Sequence, residues 1–193
     1  MCRVFAFLRA INVGRGRTVK MRSLRQVFES VGFSMVETFI ASGNVIFETT
    51  TQKTKTLERK IEKALHEALG YEVRTFVRRE AELAKIANYR PFRRSEFDDK
   101  WQMNVIFLAD NLSRELKRDV KALRTNTDVF DVHGQEIYWL RRRKRSKGPF
   151  STVPLERVLG RAFTVRAANT IKEIAAKYCG RLTHNLGHPH SAP

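Results

Sequence analysis

Arg9, Asn12, Gly14, Arg15 and Arg17 lie in one short segment, FAFLRAINVGRGRTVK, that runs from an apolar strand to the start of a helix. Such a segment suits an anion. Glycines let backbone N–H groups crowd together, the helix N-terminus adds partial positive charge, and the arginines with Lys20 add full charges. A phosphate or a carboxylate is the ligand this chemistry fits. The pattern is neither a P-loop nor GxGxxG, so it specifies no nucleotide. The plainer alternative is a glycine turn with solvated arginines.

Two further stretches carry usable groups. Ser42, Gly43 and Asn44 separate two apolar runs, and Gly-Asn there predicts a tight hairpin with a hydroxyl and an amide exposed at its tip. Residues 141–147 read RRRKRSK, six of seven basic: Arg141, Arg142, Arg143, Lys144, Arg145 and Lys147. On a strand end and loop they would contact phosphates, which give affinity without sequence choice. The plainer alternative is a solvated charge run.

Catalytic chemistry finds little footing. His66 falls in a charged helix and His133 in a turn, while His184, His188 and His190 follow the last periodic segment. Neither Cys2 nor Cys179 stands in a metal or redox spacing, and neither has a His in a usable pattern. No metal site is expected, and no cofactor signature appears. Phe5, Phe7 and Phe47 occupy strand positions where a single-stranded RNA platform would need aromatics, but the RNA-recognition signature is absent and they read as core.

The totals bound the partners. Thirty-seven Lys and Arg against twenty Asp and Glu leave a formal +17 over 193 residues. Such a surface attracts polyanions, so nucleic acid or another phosphate-bearing ligand is the expected partner. No stretch reaches the ~20 apolar residues that cross a bilayer, so membrane insertion is not expected. A cytoplasmic chain with reduced thiols is the expectation.

The elements that would position these residues follow from periodicity. A strand over 4–8 leads through the basic loop to a helix over 21–31, ended by Gly32. Strands over 36–41 and 45–47 flank the Ser42 turn, a helix spans 52–69, and a strand spans 72–77. A linking helix over 79–88 and a polar segment follow. The order then repeats: strand 103–108, helix to 123, a hairpin of 128–132 and 136–140, helix 154–159, strand 162–166 and helix 169–178. Both halves are β-α-β-β-α-β. The fold class is therefore α+β, two ferredoxin-like (βαββαβ) lobes of antiparallel sheet with helices packed on one face. The expected division is 1–89, with the linking helix, a linker at 90–100, a second lobe at 101–179 and a mobile tail at 180–193.

LRAINVG, LRQVFESVGF, TFIASGNVIF, LERVLG and TVRAANT together resemble one family, the uncharacterised bacterial proteins called DUF1697. The resemblance spans about residues 3–178. It implies a two-lobed fold of ferredoxin-like units and no agreed activity. Its motif positions here are Leu8, Arg9, Ile11, Asn12, Val13, Gly14, Ser42, Gly43, Asn44, Arg166, Asn169 and Thr170. The chain departs from the family pattern at Ala10 and Arg15, where Gly is usual, at Ala41, where Gln is usual, and at Ala167-Ala168, where Asn-Trp is usual.

Two functions follow as expectations. One is a non-enzymatic binder of phosphate-bearing ligands, nucleic acid foremost. The other is a small-molecule enzyme or sensor with Asn12, Ser42, Asn44, Arg166 and Asn169 converging between the lobes and Arg9 or Arg166 holding an anion.

Overall fold

The computed structural model describes residues 1–12, 18–51, 53–93, 100–142 and 152–180. Gly14, Arg15 and Arg17 of the first loop, Arg143, Lys144, Arg145 and Lys147 of the basic run, most of the segment 90–100 and the tail beyond Gly180 lie outside those residues.

The first half runs β1 (Cys2–Leu8), α1 (Met21–Ser30), β2 (Ser34–Phe39), β3 (Asn44–Thr49), α2 (Thr54–Leu69), β4 (Thr75–Arg79) and α3 (Glu80–Asn88). The second runs β5 (Trp101–Leu108), α4 (Arg114–Ala122), β6 (Asp128–His133), β7 (Glu136–Arg142), α5 (Val153–Leu159), β8 (Phe163–Ala167) and α6 (Ala168–Tyr178). Each half forms one four-stranded antiparallel sheet, ordered β2-β3-β1-β4 and β6-β7-β5-β8. The fold is α+β with a repeated element order, as the periodicity predicts.

Local signals set most boundaries. Leu57, Ile61, Ala64 and Leu65 give α2 its buried stripe, and Gly70 ends it at φ 74°. Ser113 caps α4 by accepting the Leu116 N–H at 3.2 Å. Strand β2 is the exception. It begins at Ser34 and ends at Phe39, two residues before the predicted end, because Ile40 turns into the left-handed region at φ 49°. A β-branched residue rarely does so, and nothing in the sequence announces it.

One face of the first sheet packs on α1 and α2 through Leu24, Phe28, Phe47, Leu57 and Ile61. The corresponding face of the second packs on α4 and α5 through Ile106, Val120, Leu155 and Leu159. The remaining faces meet each other. Phe7 stacks on Phe107 with ring centroids 4.1 Å apart, and Phe5, Phe76, Val105 and Tyr138 join the same core with Leu83 of α3 and Ile171 and Ile174 of α6. This buries the surface an RNA platform would need, so Phe5 and Phe7 are core residues.

The outer edge of β4 is closed. Its N–H groups at Thr75, Val77 and Arg79 donate to Glu62, Glu58 and Glu82 at 2.9, 3.0 and 2.7 Å. Glu58 and Glu62 are one helical turn apart on α2, so one helix face covers two edge positions.

Candidate functional site

Arg166 lies on β8 and is only 9% exposed. Its side chain crosses to the first half. Nε donates to Asn44 Oδ1 at 2.5 Å, and Nη2 donates to the carbonyls of Leu8 and Ser42 at 2.8 and 2.9 Å. Nη1 donates to Thr164 Oγ1 and to the Val165 carbonyl, each at 2.8 Å. The guanidinium also sits 5.8 Å from the Phe7 ring centre. Burial brings its pKa down to about 10. Every face of the fork meets a protein acceptor, which makes Arg166 a staple between the halves.

Asn44 is held in turn. Its Nδ2 donates to the Phe39 carbonyl at 3.0 Å and to Ser42 Oγ at 2.9 Å, and the residue is 1% exposed. The amide expected at an exposed tip is therefore interior, because Asn44 opens strand β3 and pairs with Phe7. Gly43 at φ 74° closes the turn, and a Cβ there would come within 3.1 Å of Leu8 and Ile11.

Asn12 closes the first loop. Its Oδ1 accepts the Val19 N–H at 2.7 Å, and its Nδ2 donates to the carbonyls of Val19 and Ala41 at 3.2 and 3.1 Å. One amide thus joins Asn12 to Val19 and ties both to the β2–β3 turn. Arg9 is exposed and reaches Glu156 of α5 at 4.0 Å. Asn169 and Thr170 stand on the first turn of α6, Asn169 exposed. Of the anticipated set, Ser42, Gly43, Asn44 and Arg166 meet directly, and Asn12 joins through Ala41. Among the described residues no hydrogen bond links Asn169 or Thr170 to them. Arg141 and Arg142 end β7, with the Arg141 guanidinium 5.6 Å from the Trp139 ring centre.

The first half answers with a matching arginine. Arg78 on β4 is 2% exposed. Its Nε donates to Glu136 Oε1 at 2.6 Å, Nη1 to the Val77 carbonyl at 2.8 Å, and Nη2 to the carbonyls of Leu108 and Gln135 at 2.8 and 3.3 Å. Here the partner is a carboxylate where Arg166 has an amide. Burial raises the Glu136 carboxyl above its ordinary range, against the pull of Arg78.

Beside Arg78 the seam opens into a pocket of about 710 Å³ between α3 and the β6–β7 hairpin. Tyr89 forms one wall, with His133 stacked at 4.6 Å and Tyr138 tilted at 4.7 Å. The Tyr89 hydroxyl donates to Asp131 Oδ2 at 3.1 Å, and Lys121 pairs with the other oxygen at 2.8 Å. Glu82 and Lys85 of α3 reach the rim. Burial, with Glu136 next in effect, raises the Tyr138 phenol and keeps it protonated. A second cleft of about 740 Å³ lies by Arg3, Glu48 and Lys177 and opens beside Gly180, where the described residues end. Among the described residues no three His, Cys, Asp or Glu side chains are grouped to hold a metal ion, and no helix is long and apolar enough to cross a membrane.

The family described as protein of unknown function (DUF1697) matches residues 1–138. The chain belongs to the DUF1697 family. No curated protein matches it. A solved structure of a conserved bacterial protein from Streptococcus pneumoniae is similar to this DUF1697 chain at 21% identity and a TM-score of 0.68, covering 91% of this chain and 97% of that one. That likeness concerns the fold.

The pocket residues were not singled out by sequence reasoning. His133 reads as a turn residue, and Tyr89 falls just past the linking helix over 79–88. One signal does point there: Val77-Arg78 and Val165-Arg166 fall at the same place in the repeated order, each just before a helix. Had Arg166 been matched to Arg78, the Gln135-Glu136 turn would have followed as the counterpart of Gly43-Asn44.

Proposed function

We propose that this chain binds a small molecule at the seam between its halves, in the pocket between α3 and the β6–β7 hairpin. The observation that carries the reading is the pocket itself. About 710 Å³ is within the range of ligand sites, and its walls combine aromatic rings with a few buried polar groups. The opposite seam, where Arg166 meets Asn44, is filled by its own hydrogen bonds. The site thus moves from the residues anticipated for a seam ligand to their counterparts in the other half. The test is a fragment screen on the full chain by protein NMR. Hits that shift the His133 ring and the Gly134 amide support the reading, and a screen with no hit there removes it.

A second reading, binding of a phosphate-bearing polyanion with nucleic acid foremost, draws on the formal +17 and on the run that begins at Arg141 and Arg142. Its test is mixed-sequence oligonucleotide binding across a salt series. Affinity must fall steeply as salt rises. No binding at low salt, or binding insensitive to salt, removes it.

A further inference from the structure

We infer that the seam pocket takes a flat nitrogen-heteroaromatic ring bearing an N–H donor, its edge bound by Glu136 and Tyr138 and its face set against Tyr89 and His133. The inference rests on the proposed pocket and concerns what enters it.

Charge comes first. In a chain of formal +17, the pocket is balanced: Arg78 and Lys85 stand against Glu82 and Glu136. Arg78 is spent on Glu136 and three backbone carbonyls. An anionic group pressed inward would meet the Glu136 carboxylate, and among the described residues no free guanidinium lines the pocket to offset it. The pocket therefore disfavours phosphates and carboxylates at its floor, unlike the rest of the surface.

The floor has unmet hydrogen-bonding capacity. Glu136 is 6% exposed and uses Oε1 on Arg78, so Oε2 remains an acceptor without a partner among the described residues. Tyr138 is 1% exposed, and its hydroxyl likewise has no hydrogen-bond partner there. Neither atom is sealed from solvent: both face the pocket, so both can hydrogen-bond an occupant in place of water. Glu136 and Tyr138 alternate onto the same face of β7, roughly 7 Å apart along the strand. That is the span of a fused bicyclic ring. One end offers an acceptor and the other a hydroxyl that both donates and accepts. A ring edge carrying an N–H opposite Glu136 and a ring nitrogen or carbonyl opposite Tyr138 completes both.

The walls select flatness. Tyr89 is fixed by Asp131 and flanked by His133 and Tyr138. Such a group of rings favours stacked or edge contacts with another aromatic system.

The test uses the full chain and three probes: 2-aminobenzimidazole, 1,2-dimethylbenzimidazole as the same ring without an N–H donor, and benzoate as a planar anion. Titration is followed through the His133 ring and Gly134 amide signals. The aminobenzimidazole shifts these signals, the dimethyl analogue binds about tenfold more weakly, and benzoate leaves them unmoved. Tyr138→Phe removes only an unpartnered hydroxyl, stays folded, and weakens the aminobenzimidazole by about fivefold. Glu136→Gln weakens it further. Equal binding of the two benzimidazoles, or an unaltered affinity in Tyr138→Phe, overturns the inference while leaving a small-molecule pocket in place. So does failure of the aminobenzimidazole when other fragments shift His133. If nothing shifts His133, both readings fall together.

Discussion

Arg78 and Arg166 make the same reach in opposite directions. Each leaves the edge strand of its own sheet and ends on the carbonyl that closes the other sheet's first strand, Leu108 for one and Leu8 for the other. Each lies over the aromatic residue just before that carbonyl, Phe107 or Phe7, at 5.5 and 5.8 Å. Each also engages the hairpin beside it, through Glu136 or Asn44. The two halves are thus bound by a reciprocal pair of arginine staples, and only one of them uses an ion pair.

The staples carry stability. Arg166→Ala leaves the Leu8 and Ser42 carbonyls and the Asn44 amide without their donor, at a cost of about 3 kcal/mol or more. Arg166→Lys recovers little, because a single ammonium cannot serve acceptors arranged for a planar fork. Urea denaturation measures both. A midpoint unchanged in Arg166→Ala would show that the contacts carry no net stability.

Ala10 sits at φ 59° and Ala41 lies beside the same turn. Left-handed backbone suits Gly better than Ala. Ala10→Gly is expected to raise stability by about 1 kcal/mol, seen as a higher Tm. Gly43→Ala is expected to lower it by about 2 kcal/mol or more, from both its φ and the close approach of Leu8 and Ile11. A Tm that falls in Ala10→Gly would contradict this account of the turn.

Glu58 and Glu62 shield the edge of β4. The double change Glu58→Ala with Glu62→Ala exposes the Thr75 and Val77 N–H groups on an edge that can accept another strand. Sedimentation across a concentration series should show more self-association than in the parent chain. Identical profiles would mean that the edge is protected by something else.

The carboxyl of Glu58 is raised by burial, against the Val77 N–H and Lys55. An acid whose pKa rises on folding holds its proton more tightly in the folded chain. Its contribution is complete below the unfolded value of about 4.3 and is lost as pH climbs through the raised folded value. The stability advantage of the parent chain over Glu58→Gln should therefore shrink as pH rises above the unfolded carboxyl's value. Denaturation at stepped pH measures it, and a constant or growing advantage would reverse the sign.

The element order was legible because helical stripes such as Leu57, Ile61 and Leu65 and terminators such as Gly32, Gly70 and Gly160 are local signals. The early end of β2 was not, since left-handed Ile40 contradicts its own propensity. Ser42, Gly43, Asn44 and Arg166 were legible as candidates for one site, but whether they meet was not. Nor was their arrangement as a closed hydrogen-bond network, because residue types do not reveal that an arginine's donors will all find carbonyls. The pocket was the least legible part. It arises where α3 stands off from a hairpin far along the chain, and Tyr89 and His133 become neighbours only through that packing.

The stacking of Phe7 on Phe107 has a consequence for origin. Each half covers one sheet face with its own helices and leaves the other to its counterpart, so neither half completes its interior alone. Two identical copies of one half would satisfy that need about a dyad, with each copy's arginine reaching across the axis. The chain has the form of such a homodimer fused end to end. A single chain frees the two seams from having to be identical: one is a closed clasp around Asn44, while the other, at Glu136, holds an ion pair and opens into a pocket.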